Sequence, residues 1–541
     1  MLNLKTFKFA PVLILVLIFH GYFNHILGAE KITIKLESEI ESAPPKFEIL
    51  ILGGGYSPSG NQVSLESNIR YFRRIQKQTG LIDIKTKTLF ADGVNVNRDL
   101  QFYDPEFIIP EVNLILAEIF GSTRGLYNQY RNNNLNADGP ASTGEIKTWL
   151  HEINATNSSN INLIYFTGHG GKGDKKNPEN TTAYLWNNSK LKVSDLSKEL
   201  DNLSPNKVSI LVMVQCYSGG FANIIFKDGN PEKGLSEQIR AGFFSTVHDR
   251  VAAGCTPDIR EENYREYSTR FWEALSGETR TGSKVSRPDY NHDGKTSLSE
   301  AHAYVIINSK TIDIPVKTTD VFIRKFSKSE LSNENNSTTA IQQKSLDLNN
   351  PKKIKPNSLN RNSPLKKILS IASPESRAII VKLSEILNLT KTDRYSETET
   401  KYKKLKEKRE QVSKDKKKLS EDKKSLKYKI RDQIKQEWPE ISNINHPIIT
   451  NFYSSDQAKK IIDIANNNQN WQKLKKLTKE IQEIEQERFN LEKQQVLLMR
   501  LQREFDNILL TNDFMHNAEP ELIKRFKELS ELERLTPIKR N

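Results

Sequence analysis

Ile161-Asn162-Leu163-Ile164-Tyr165-Phe166-Thr167-Gly168-His169-Gly170-Gly171 decides how this 541-residue chain reads. Its first seven residues form an almost unbroken apolar run, which stops at glycine with a histidine lodged in the turn. A run without polar alternation belongs inside a parallel sheet, where both faces are covered. A second passage has the same form. Val208–Val214 (VSILVMV) runs into Gln215-Cys216-Tyr217-Ser218-Gly219-Gly220-Phe221. A third, Phe47–Leu52 (FEILIL), ends in Gly53-Gly54-Gly55.

Helical patterns lie between these runs. Leu65, Ile69, Phe72 and Ile75 recur at helical spacing, and helices are expected near Gly144–Ile153, Val193–Leu203 and Ser268–Leu275. Val251–Ala253 reads as one more short strand. Strands alternating with helices define an α/β layer with a mainly parallel sheet. In such sheets chemistry gathers at the carboxyl ends of the strands, where His169 and Cys216 stand. They stand 47 positions apart, which makes room for one strand–helix–strand crossover, and such a crossover sets successive strands close together.

A histidine and a cysteine so placed suit nucleophilic catalysis. A free thiol ionises near a pKa of about 8.5 and needs a base to attack at neutral pH. An imidazole removes that proton and returns it to the leaving group. The glycines admit a substrate backbone, and the N–H groups of Cys216 and Gly170 are candidate donors to an oxyanion.

The two motifs, FTGHGG and QCYSGG, resemble those of the caspase/legumain superfamily of cysteine peptidases, most closely its legumain-like branch. The resemblance covers roughly residues 47–305. It implies a caspase-like sheet, with His169 as general acid/base, Cys216 as nucleophile and Gly170 as oxyanion donor. It also implies a peptide or protein substrate, and it admits transamidases beside hydrolases. Gly168 departs from the pattern, since legumains usually carry Asp there. Family members cut after Asn, Asp, Arg or Lys, and Asp249, Arg250 and Asp258 fall near the expected pocket. Cys255 then reads as a pocket-edge residue, and a Cys216–Cys255 bridge is the alternative.

Asp289-Tyr290-Asn291-His292-Asp293-Gly294-Lys295-Thr296-Ser297-Leu298-Ser299-Glu300 fits the twelve-residue calcium loop. Its oxygens would come from Asp289, Asn291, Asp293, Ser297, Glu300 and the Lys295 carbonyl, with Gly294 making the turn. Glu300 would open a helix at Ser299–Ile307. A structural Ca2+ is the expected cofactor. Gly53–Gln62 lacks the spacing of a dinucleotide fingerprint and reads instead as a loop at the His169 edge of the sheet.

Composition divides the chain further. Hydrophobic residues are 36% and mean hydropathy is −0.62, which excludes a wholly membrane-embedded protein. The net charge of +14 comes from residues 351–541, with 42 Lys and Arg against 28 Asp and Glu; the first 350 residues balance. Lys5, Lys8, the apolar run Ala10–Phe19 and Gly28-Ala29 form an export signal over residues 1–29, with an uncleaved anchor as the alternative. Residues 30–326 are the expected catalytic domain. Residues 327–364, rich in Asn, Ser, Lys and Gln, read as a disordered linker.

Residues 365–541 read as a basic helical region. Leu405, Val412, Leu419 and Leu426 recur every seven residues, but their companions Arg409, Lys416 and Lys423 are charged. Trp471–Leu510 carries a better apolar stripe, so an antiparallel coiled-coil hairpin is expected. With Tyr402 and Tyr428 the only nearby aromatics, nucleic acid is not an expected partner. The basic helices read first as a solvated face, with contact to an anionic envelope surface and helical self-association as the alternatives. The sequence thus predicts an exported, periplasmic or secreted cysteine endopeptidase; the alternative is a catalytically silent envelope scaffold using the coiled-coil tail. The resemblance also suggests a C-terminal pro-domain that covers the site.

Overall fold

The computed structural model describes residues 47–78, 84–122, 126, 129–156, 161–329, 331, 359–443, 446–447, 452 and 456–537. The expected export signal and most of the expected linker, residues 330 and 332–358, lie outside the described residues. A six-stranded sheet is built from β1 (Phe47–Gly54), β2 (Thr86–Phe90), β3 (Ile161–Gly168), β4 (Val208–Met213), β5 (Arg240–Phe244) and β6 (Val316–Lys317). The order across the sheet is β6-β5-β4-β3-β1-β2. Every pair is parallel except β5 with β6. All eight residues of β1 are buried, as an unalternating run demands.

The helices of this part are α1 (Val63–Gln78), α2 (Glu111–Phe120), α3 (Thr143–Ala155), α4 (Val193–Asp201), α5 (Tyr267–Ser276), α6 (Leu298–Asn308) and α7 (Thr318–Phe326); all but α2, which packs on the C-terminal helices, flank the sheet. Ser142 starts α3 by accepting the Glu145 N–H, and Gly277 ends α5 in the left-handed conformation. Phe72 of α1, Tyr165 of β3 and Trp272 of α5 pack with ring centroids 4.5–5.2 Å apart. Each such aromatic pair adds about 0.5–1.5 kcal/mol beyond its burial.

The expected strand at Val251–Ala253 does not form. The strand after β4 is Arg240–Phe244, and Val251 is exposed on the loop beyond it. A three-residue apolar stretch mimicked a strand, while Arg240 disguised the real one. Arg240 is buried because Asp201 Oδ1 accepts its guanidinium at 2.7 Å and Ile224 O at 3.0 Å.

The C-terminal helices are α8 (Leu365–Ile371), α9 (Pro374–Ile386), α10 (Arg394–Glu437), α11 (Asp456–Asn466), α12 (Gln469–Asn517) and α13 (Pro520–Glu533). The two long ones, of 44 and 49 residues, pack against each other as the expected hairpin. Their seam is joined by ion pairs: Lys408 to Glu487 at 3.0 Å, Arg409 to Glu492 at 3.5 Å and Lys416 to Glu485 at 2.6 Å. At the hairpin's tip, Ile430, Ile434, Trp438 and Trp471 form a small core with Val112, Ile115 and Ile119 of α2.

The other end of α12 folds onto the α/β layer, and residues 47–541 make one compact unit. Glu533 of α13 is fully buried and accepts from Thr318 Oγ1, Thr319 N and Thr319 Oγ1 at 2.7–2.8 Å. Its carboxylate thereby serves the amino end of α7, where the helix dipole favours negative charge. No helix among the described residues is long and apolar enough to cross a membrane.

Candidate functional site

The register of β3 on β4 fixes the site. Phe166 pairs with Met213 on the last rung, and Val214 N–H still donates to Phe166 O at 3.2 Å. Beyond that rung the two turns stay in contact, since a Cβ on Gly170 would lie 2.0 Å from Cys216 O. Gly54 pairs with Gly168, so the Gly53–Gln62 loop leaves β1 on the same edge.

That loop holds the histidine. His169 Nε2 lies 2.8 Å from Gly60 O and 2.9 Å from Gln62 Oε1. The Gly60 carbonyl can only accept, so the ring proton resides on Nε2. Nδ1 then carries the lone pair and is the basic nitrogen. Tyr56 packs edge-on against the ring at 5.3 Å. Burial lowers the imidazole pKa, partly offset by the bond to Gly60. The resting ring is therefore neutral at pH 7 and able to take a proton.

Cys216 stands where β4 has ended. Its Sγ accepts the Ala252 N–H at 3.3 Å and lies 3.8 Å from Ala252 O. Burial raises its pKa, and the nearby Asp313 carboxylate raises it further. Tyr217 takes the left-handed conformation at φ 61° and donates its N–H to Arg250 O at 2.8 Å. Ser218 Oγ lies 3.0 Å from Ser245 Oγ and accepts the Thr246 N–H at 3.2 Å, so its role is to fix the turn. The loop is tight enough to need its glycines: a Cβ on Gly219 would lie 2.6 Å from Thr246 O, and one on Gly220 2.3 Å from Thr181 Oγ1.

Gly168 is explained by the same closeness. A Cβ there would lie 2.8 Å from the Phe166 ring and 2.9 Å from Gly54 O. Both cysteines are free thiols. Cys255 Sγ sits 3.7 Å from Gly168 O and takes the left-handed conformation at φ 54°; burial pushes its thiol pKa well up.

Of the residues near the expected pocket, Arg250 pairs with Glu492 at 3.0 Å. Asp258 is held at about 2, chiefly by its bonds to Arg260. Sequence reasoning missed Gly60 and Gln62 as ligands of the imidazole, and it missed Asp313. Asp313 is almost fully buried, its Oδ1 accepts the Ala253 N–H at 2.7 Å, and burial pushes its carboxyl up to about 6. Nothing in its surrounding sequence (TIDIP) marks it. A cavity of about 270 Å3 lies elsewhere, between the α/β layer and the C-terminal helices, and neither Cys216 nor His169 lines it.

The Asp289–Glu300 loop forms a closed turn. Asp289 Oδ2 accepts the Gly294 N–H at 2.9 Å, and Asn291 Oδ1 accepts the Asp293 N–H at 3.0 Å. Glu300 is fully buried at the third position of α6. Its Oε1 accepts Tyr290 N–H at 2.6 Å and its Oε2 accepts Ser297 N–H at 2.9 Å. Gly294 has φ 79°, as the sharp turn requires. Among the described residues no three His, Cys, Asp or Glu side chains converge as a metal site. One observation does fit a cation: Asp289 Oδ1 is buried without a hydrogen-bond partner, which is costly for a carboxylate oxygen. Asp289, Asn291, Asp293, Ser297, Glu300 and the Lys295 carbonyl are the residues that would hold it.

No family model matches this chain, and no curated protein is similar to it in sequence. A protein of Geobacter sulfurreducens known from a crystal structure aligns with 48% of this chain and 88% of its own length, at 11% identity and a TM-score of 0.27. The described residues form an α/β protein with a mainly parallel six-stranded sheet and a helical C-terminal region.

Proposed function

We propose that this protein is an exported cysteine endopeptidase of the caspase/legumain type, acting through Cys216 and His169. The observation that supports the reading is the contact between the turns that follow β3 and β4, where a Cβ on Gly170 would lie 2.0 Å from Cys216 O, with His169 Nε2 already engaged and Nδ1 basic. Cys216 Sγ attacks the scissile carbonyl carbon, and its proton passes to Nδ1. The C–N bond breaks as the imidazolium returns that proton to the leaving amine. Water, deprotonated by the same nitrogen, then hydrolyses the thioester and restores the thiol. Gly170 N–H and Cys216 N–H are the donors assigned to the oxyanion.

A raised thiol pKa beside a lowered imidazole pKa means that the resting pair is neutral. The thiolate forms as attack proceeds. The same observation favours the rival reading, a silent scaffold whose buried cysteine never ionises. A transamidase would hand the acyl group to an amine in place of water. A structural Ca2+ at Asp289–Glu300 and a periplasmic or secreted location belong to the proposal.

The deciding experiment treats the purified full chain with an acyloxymethyl ketone peptide library in calcium-containing buffer. Stoichiometric modification of Cys216, lost in Cys216→Ala and His169→Ala, supports the peptidase. A chain that stays unmodified across the library while folded is the scaffold.

A further inference from the structure

We infer that helix α12 is a brace for the loop that touches the nucleophile, with Glu492 and Arg500 as positioning residues. The inference takes its kinetic meaning from the reading of Cys216 as nucleophile. Two lines of contact converge on the Arg250–Ala253 loop. In the first, Glu492 Oε1 accepts Arg250 Nη2 at 3.0 Å, and Arg250 O accepts the N–H of Tyr217, the neighbour of Cys216, at 2.8 Å. In the second, Arg500 is almost fully buried and gives its guanidinium to backbone oxygens: Asp313 O at 2.7 Å, Ser309 O at 2.7 Å, Ile306 O at 3.0 Å and Thr311 O at 3.3 Å. These bonds fix the Ser309–Asp313 segment. Asp313 Oδ1 in turn accepts the Ala253 N–H, one residue from the Ala252 N–H that reaches Cys216 Sγ.

A buried guanidinium without a bonded carboxylate is stable only if its donors are satisfied, and here carbonyls of the last turn of α6 and of the segment after it satisfy them. The loop so fixed holds Ala252 against the sulfur. An N–H donor at that position stabilises the thiolate over the thiol. Helix α12 thus supports the loop that touches the nucleophile. The titratable groups around Cys216 are His169 at the end of β3, Tyr217 beside it, Cys255 and Arg250 on the β5–α5 loop, and Asp313 before β6.

The test measures iodoacetamide alkylation of Cys216 in the full chain at pH 8, by mass spectrometry of the Cys216 peptide. Glu492→Ala and Arg500→Lys are compared with Glu487→Ala, which removes only the hairpin pair to Lys408. Losing the Ala252 donor lowers the thiolate fraction about tenfold, partly offset by the greater nucleophilicity of the more basic sulfur. The expected result is alkylation three- to tenfold slower in Glu492→Ala and Arg500→Lys, and unchanged in Glu487→Ala. General loosening would expose the sulfur and speed alkylation. Equal or faster alkylation in a folded Glu492→Ala chain overturns the brace, whatever Arg500→Lys does. Slower alkylation in a protein inert to every peptide would overturn the peptidase reading and leave the brace standing.

Discussion

Gly170 stands so close to Cys216 that a Cβ placed on it would lie 2.0 Å from the Cys216 carbonyl oxygen. The residue after the histidine is thus packed directly on the backbone of the cysteine. Neither can move without the other. Gly170→Ala is expected to push the two strand ends apart, destabilising the fold by about 1–3 kcal/mol as overpacking does. Loss of Cys216 modification by the ketone probe should accompany a modest fall in melting temperature. A variant as stable and as reactive as the parent would contradict this packing.

Asp313 predicts a specific dependence of stability on pH. Its carboxyl sits at about 6 in the folded chain and near 3.9 when unfolded. Between those values the folded chain keeps a proton that the unfolded chain has released, so this group makes stability fall as pH rises from about 4 to about 6. Above that the contribution is level. Asp99, also held at about 6 by burial and the nearby Asp92, acts with the same sign. Relative to the parent, Asp313→Asn should therefore gain roughly 3 kcal/mol between pH 4 and pH 7. Urea titrations at several pH values measure this difference, and parallel curves for the two chains would count against it.

Calcium should stabilise the chain through Asp289–Glu300. For a lone extracellular-type loop the dissociation constant is on the order of 10⁻⁴–10⁻³ M. At about 10 mM calcium that gives roughly 1–3 kcal/mol, a rise of a few degrees in melting temperature. The comparison is each chain with calcium against the same chain with chelator. Glu300→Gln should abolish the calcium-dependent part. A calcium increment that survives this substitution would place the ion elsewhere.

Removal of everything after Phe326 should not release a more active enzyme. Phe322 is fully buried, with Phe514 and Phe526 each 5.6 Å from its ring, and Glu533 sits on the amino end of its helix. Truncation strips those contacts from the sheet edge at β6. Aggregation or a broad, low-temperature melt is the expected outcome by circular dichroism and gel filtration. A soluble, more reactive fragment would favour a covering pro-domain instead.

The central strands were legible because β1, β3 and β4 are buried on both faces and carry no polar alternation. The His169 and Cys216 edge followed from where those runs stop. Strand β2 (TKTLF) was not legible, because a short edge strand that opens with two threonines around a lysine looks like a loop. Strand β5 was masked by Arg240, whose charge is neutralised by Asp201, a residue 39 positions earlier. Asp313 escaped for a similar reason. Its importance comes from Ala253 and Arg500, brought to it only by folding. Gln62 was placed at the correct edge but not on the imidazole, since loop direction decides which side chain reaches the ring.

The hairpin teaches a different lesson about how such an arm can change over time. Arg409 and Lys416 interrupt the leucine stripe, yet each is answered by a glutamate on the opposing helix. An arm stitched by reciprocal charges tolerates inversion of any pair, plus for minus, provided both partners switch. Descendants of one ancestral arm would then diverge quickly in composition while keeping the same length and crossing.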